Sequence, residues 1–134
     1  MKYTLLMVEL SGIQDYIFGS NNLRVNVGAS SLVNRAIYEW LPGLLPRPNN
    51  VGPGGECQEA AIEASDPMYA CEAVYMGGGN AFLIFRMHDE ADKFIRQFTR
   101  LLLKNAPGLN VVIESLDMDW EQDSLVLAQK TLRQ

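Results

Sequence analysis

The stretch Ala70–Arg86, with Gly77, Gly78 and Gly79 at its middle, constrains the fold of this chain more than any other. Tyr69 to Met76 and Ala81 to Met87 are rich in β-branched, aromatic and aliphatic residues, and a short glycine turn between two such runs is the signal of a β-hairpin. One or two glycines supply the positive φ of a tight turn. A third predicts either a tip whose backbone something must approach closely or a mobile hairpin loop.

Upstream, Tyr3 to Leu10 is almost continuously apolar, which predicts a strand covered on both faces and therefore central in its sheet. Glu9 interrupts it near the end, where a carboxylate either escapes to solvent or is held for a cation. Ser11-Gly12-Ile13-Gln14 follows, with Ser and Gln at capping-box spacing for a helix that runs through Phe18 and is released at Gly19. The free N–H groups of such a helix start favour an anion such as phosphate, unless Ser11 caps them. Asn21 to Val27 reads as a polar turn carrying Arg24. Gly28-Ala29-Ser30-Ser31 then opens a second helix, in which Leu32, Val33, Ala36, Ile37, Trp40 and Leu41 make one buried stripe until Pro42 and Gly43 stop it. Arg35 lies off that stripe and is expected on the solvated face, unless it or Arg24 reaches a phosphate.

Five of the six prolines and the run Gly52-Pro53-Gly54-Gly55 fall between residues 42 and 67, so 42–68 is expected to be a long, irregular and mobile connection, with a short helix over Gln58 to Ala64. After the hairpin, Asp89 is a candidate cap for a helix with an apolar stripe of Ala91, Phe94, Ile95, Phe98, Leu101 and Leu102. Its entrance carries His88, the only histidine, expected in a capping or surface role. Asp92, Lys93, Arg96, Gln97 and Arg100 form the solvated face, and Asn105, Pro107 and Gly108 end the helix. Leu109 to Leu116 predicts a fourth strand. Trp120, Leu125, Ala128 and Leu132 predict a C-terminal helix over 119–134 that leads toward a further part of a longer protein.

The order is βαββαβ with an extra helix after the first short one. It predicts an α+β, ferredoxin-like fold over residues 1–118, with helices on one face of an antiparallel four-stranded sheet and the first and third strands central. A chain of 134 residues, 48% hydrophobic, is enough for one such core. A formal net charge of −5 argues against a strong direct grip on nucleic acid, which needs a basic face. No apolar run approaches the ~18 residues of a membrane span and no signal peptide opens the chain, so a cytoplasmic location is expected. Cys57 and Cys71 lack metal-binding spacing and are expected to be ordinary thiols.

In that topology the end of the first strand lies beside the start of the third, so Glu9, the Ser11-Gly12 helix start and the Gly79-Asn80 tip converge at one sheet edge. Phosphoryl or nucleotidyl transfer at such a place uses two or more carboxylates to hold two divalent cations.

Glu9-Leu-Ser-Gly-Ile-Gln-Asp-Tyr-Ile-Phe18, Leu23-Arg24, Gly28-Ala-Ser30 and Tyr75-Met-Gly-Gly-Gly-Asn80 together resemble a palm domain of the large subunit of type III CRISPR effector complexes, the polymerase/cyclase-like subunit that makes cyclic oligoadenylates from ATP. The resemblance runs from about Tyr3 to Leu116. Active members have an aspartate at the end of the first strand and Gly-Gly-Asp-Asp or Gly-Gly-Asp-Glu at the hairpin tip; here Glu9 and Gly77-Gly78-Gly79-Asn80 stand instead. The resemblance therefore implies a degenerate palm in antiviral defence with no catalytic residues of its own. It would bind ATP with weakly held Mg²⁺ or Mn²⁺ at Glu9 and pair with a second, acidic-motif palm or with other effector subunits. On that reading Glu9 meets a cation or ribose, Ser11, Gly12 and Ile13 meet phosphate through their N–H groups, Gly77 to Asn80 form the base- or ribose-proximal tip, and Arg24 and Ser30 add phosphate contacts. The alternative is a purely structural interaction module with no ligand.

Overall fold

A computed structural model describes residues 2–59, 62 and 68–119. Strand β1 (Lys2–Ser11) leads through Gly12 into α1 (Ile13–Phe18) and then α2 (Leu23–Arg35). A π-helical turn (Ala36–Trp40) and the short α3 (Leu41–Gly43) continue α2. After the long connection come β2 (Cys71–Gly77), β3 (Asn80–Phe85), α4 (His88–Asn105) and β4 (Asn110–Asp119). The four strands form one sheet in the order β2-β3-β1-β4, every neighbouring pair antiparallel. This is the expected α+β, ferredoxin-like architecture with β1 and β3 central. No helix among the described residues is long and apolar enough to cross a membrane.

The near-continuous apolar run of β1 is accounted for by the two faces of the sheet. Leu6, Val8 and Leu10 point to the helical side, where they join Leu83, Phe85, Ile37, Leu41, Phe94, Phe98 and Leu102 in the main core. Tyr3 and Leu5 point the other way and pack with Phe82, Ile84, Met118 and Ile62. Helix α4 presents Ala91, Phe94, Phe98 and Leu102 at helical spacing, and its Phe94 ring lies 5.6 Å from Phe85 and 5.5 Å from Phe98, centroid to centroid. Such ring pairs contribute about 0.5–1.5 kcal/mol each beyond burial.

Several local expectations are corrected. Ser11 does not cap α1: it is the last residue of β1, paired with Asn110, and Gly12 takes the N-cap position in the left-handed region, φ 66°, with no side-chain cap bond. The second helix begins at Leu23, not Gly28, because Asn22 accepts from the N–H groups of Arg24 (2.9 Å) and Val25 (3.3 Å) and so turns the polar stretch into helix. Asp89 sits inside the first turn of α4, and Met87, without a cap bond, is the N-cap. Strand β4 is longer at its C-terminal end than predicted because residues up to Asp119 keep register with β1.

The long connection, irregular as expected, is hydrogen-bonded to the sheet in its described part. Asn50, 2% exposed, donates to the carbonyls of Gln58 (2.8 Å) and Ala73 (2.9 Å) and accepts from the Ala73 N–H at 2.6 Å. Its side chain thus satisfies edge groups of β2 that would otherwise be open. The predicted helix over Gln58 to Ala64 falls mostly, and the C-terminal helix over 119–134 almost wholly, outside the described residues.

Candidate functional site

Glu9 is paired with Asn80 of β3 on one side and with Val112 of β4 on the other. Alternation along β1 puts Glu9 on the same face as Tyr3 and Leu5, away from the helices. That face is apolar at one end, where Tyr3, Leu5, Phe82 and Ile84 cluster, and turns polar at the other, where Glu9, Asn80 and Asn110 are exposed and Ser11 is half-buried. The hairpin tip is fastened to the end of β1 by a bond from the Leu10 N–H to the Gly79 carbonyl, 2.8 Å. Glu9, Ser11, Gly12 and the tip therefore meet at one end of the sheet.

The three glycines have distinct reasons. Gly78 (φ 61°) and Gly79 (φ 85°) form the turn itself, both in the left-handed region. Gly79 has a second constraint, since a Cβ there would stand 2.7 Å from Cδ1 of Ile13. The close approach implied by the third glycine is thus made by the protein's own helix α1 upon the tip. Gly77 and Gly79 are buried, while Gly78 and Asn80 are open to solvent.

Gly12 is exposed, and its carbonyl accepts from the Tyr16 N–H at 2.9 Å. The N–H groups of the first α1 residues, Ile13 included, have no acceptor within the helix. Arg24 lies exposed in the first turn of α2 and Ser30 half-buried further along it; among the described residues no hydrogen bond joins either to Glu9 or the tip.

Two residues at the tip escaped the sequence reading as site elements. The hydroxyls of Tyr75 and Tyr38 lie 3.5 and 3.8 Å from the position a Cβ at Gly77 would take, and the two side chains remain 53% and 48% exposed. Tyr75 was visible as the start of the glycine motif. Tyr38 carried no signal, because only the fold brings the π-helical turn to the hairpin.

A second polar group, of which the sequence marked only His88, pins α4 to the sheet. Thr4 donates to Asp117 at 2.7 Å, His88 Nδ1 lies 3.0 Å from the same carboxylate, and His88 Nε2 lies 3.3 Å from Asp92. The Asp117 hydrogen bond and charge, with Asp92 and Asp89 nearby, push the His88 pKa up. The Thr4 hydroxyl, then His88, hold Asp117 below the ordinary carboxylate value. Burial pushes both cysteine thiols up, Cys71 strongly, which leaves them protonated and poor ligands.

Among the described residues no group of three or more His, Cys, Asp and Glu side chains could hold a metal ion. Glu9 opposite Asn80 offers one charged and one neutral oxygen donor, which does not fit a two-cation centre.

The sheet, its helical face and the hairpin opposite the end of β1 define a ferredoxin-like palm. No family model and no curated protein matches the chain. Solved structures do. One chain of the Csm1–Csm4 subcomplex of a type III-A CRISPR-Csm interference complex is similar at TM-score 0.70 and 10% identity, covering 98% of this chain and 18% of that one. A Csm1–Csm4 cassette in complex with one ATP is similar at TM-score 0.69 and 11% identity, with the same coverage. Csm1 in T. onnurineus is similar at TM-score 0.68 and 10% identity, again 98% against 18%. At these identities the likeness establishes the fold, and the chain spans less than a fifth of the chains it matches.

Proposed function

We propose that this chain is a catalytically degenerate, nucleotide-binding palm of a type III CRISPR large-subunit-like protein, which binds ATP and pairs with a second, acidic palm that makes cyclic oligoadenylates. The pairing of Glu9 with Asn80 carries the reading: an exposed polar end of the sheet lies beside a glycine tip and a helix start, with too little negative charge to run two-cation chemistry alone. Support comes from the palm likeness and from one similar structure being a complex with ATP. On this reading the cation is held chiefly by the nucleotide's own phosphates, with Glu9 as a single protein carboxylate. Gly12 and Ile13 contribute N–H groups, with Ser11, its backbone paired to Asn110, standing beside them, Gly77 to Asn80 contact ribose or base, and Arg24 and Ser30 stand further out along α2.

The test is isothermal titration of the 134-residue chain with ATP, with and without Mn²⁺. Heat that is metal-dependent and weakened by Glu9→Gln supports the reading; no heat at millimolar ATP, alone and with an acidic palm added, overturns it.

A second reading, a docking module with no ligand, is favoured by one observation: Phe18, Leu23, Val25 and Val27 of α1 and α2 are all more than half exposed. Gly78→Trp separates the two. It leaves assembly with effector subunits intact if the tip is idle and abolishes ATP heat if the tip is occupied.

A further inference from the structure

The π-helical turn, Pro42 and Gly43 of α3, and the 47–55 segment line an open cleft of about 770 Å³, within the range of small-molecule sites. We infer that this cleft binds a nucleoside phosphate, with the base against Tyr38 and the phosphate at Arg47.

The walls argue for that ligand class. Tyr38, Pro48, Val51 and Pro53 supply the apolar part of a mixed lining, with one aromatic ring, and Arg47 and Glu39 bring opposite charges. These charges are not equivalent. Glu39 is held by Arg35 at 3.2 Å, whereas Arg47 is exposed and has no hydrogen bond or ion pair among the described residues. The cleft is therefore lined by one half-exposed tyrosine and one uncommitted guanidinium, which suits a planar ring carrying an anion. A peptide strand would need a free sheet edge, and the neighbouring β2 edge is engaged by Asn50.

The cleft is also built in advance. Asn49 donates to the Pro46 carbonyl and accepts from the Val51 N–H, both at 3.0 Å, so its amide shapes the loop and is not left for a ligand. The Gly55 N–H donates to the Gly52 carbonyl at 3.0 Å. Gly55, at φ 82°, would place a Cβ 3.3 Å from the Tyr38 carbonyl and 3.4 Å from its ring; its lack of a side chain lets the loop close under the tyrosine. The run Gly52-Pro53-Gly54-Gly55 thereby acquires a purpose. A rigid wall lowers the ordering cost of binding. Tyr38 also reaches the glycine tip through its hydroxyl, whereas Arg47 has no part in the Glu9–Asn80 end, so Arg47 is the residue that separates this inference from the palm-site reading.

The probe is AMP without metal, titrated calorimetrically into the 134-residue chain and its variants. Saturable binding is expected in the wild type and in Glu9→Gln, with affinity falling at least about fivefold in both Tyr38→Leu and Arg47→Gln. Arg47 is exposed, so its variant carries the test even if Tyr38→Leu unfolds. Absence of AMP binding, unchanged affinity in Arg47→Gln, or loss in Glu9→Gln alone overturns the cleft; that last result would instead assign the nucleotide to the sheet.

Discussion

Glu9 and Asn80 are direct partners across the antiparallel pairing of the two central strands. Cβ atoms of such partners stand about 4.5–5.5 Å apart, close enough for one cation to be shared if both residues were acidic. Asn80→Asp is therefore expected to tighten Mn²⁺ binding by about tenfold or more, since ligand charge governs affinity at oxygen sites. Calorimetry or manganese relaxation in the absence of nucleotide measures it, and an unchanged affinity would mean that the two side chains do not converge. Without metal the same variant should lose a few tenths of a kcal/mol to about 1 kcal/mol of stability from like-charge repulsion.

Gly78 and Gly79 should respond differently to alanine. Gly78→Ala pays only for its left-handed backbone, roughly 1–2 kcal/mol. Gly79→Ala bears that strain and must also displace Cδ1 of Ile13, so a further loss of about 1 kcal/mol is expected. Ile13→Val removes that methyl. Urea midpoints of the four proteins in the Gly79/Ile13 cycle should show favourable coupling between the substitutions; strict additivity would refute the contact.

Asn50→Ala removes three hydrogen bonds and leaves the Ala73 N–H without its partner. The expected loss is about 2–4 kcal/mol, accompanied by faster amide exchange at Ala73, whose N–H loses its acceptor. Slow exchange persisting there would show that the connection does not depend on this side chain.

The His88–Asp117 pair should give stability a two-sided pH profile. His88 has a raised pKa in the folded chain, so its contribution is fully present below its ordinary value of 6.5 and is lost as pH rises through the folded value. Asp117 has a lowered pKa, so its contribution is present above 3.8 and is lost as pH falls through the folded value. Thermal unfolding should accordingly be most favourable to the native state between these limits, with the alkaline decline flattened in His88→Gln. An identical alkaline limb in that variant would place the titration elsewhere.

The strand order and the convergence of Glu9 with the glycine tip were legible because they rest on hydrophobic pattern and turn chemistry, which act locally and leave strong marks. Tyr3–Leu10 announced a strand covered on both faces, and the helical stripes of α2 and α4 announced the face that covers one of them. Helix starts were less legible. Asn22 caps α2 from within a stretch whose polarity reads equally well as a turn, and the apparent capping box at Ser11 yields to strand pairing with Asn110. Tyr38, Asn50 and Asp117 were invisible for another reason: each acts on a segment far away in sequence, and nothing in its own neighbourhood records the partner. The π-helical turn likewise leaves Leu32–Leu41 looking like ordinary helix, although the Leu41 N–H reaches back to the Ala36 carbonyl.

Because Ile13 rests directly on Gly79 and the Leu10 N–H is tied to the same glycine, the bend and the short helix form one mechanical unit. The two halves of the site thus share a single anchorage, and a substitution that spoils it is felt on both sides.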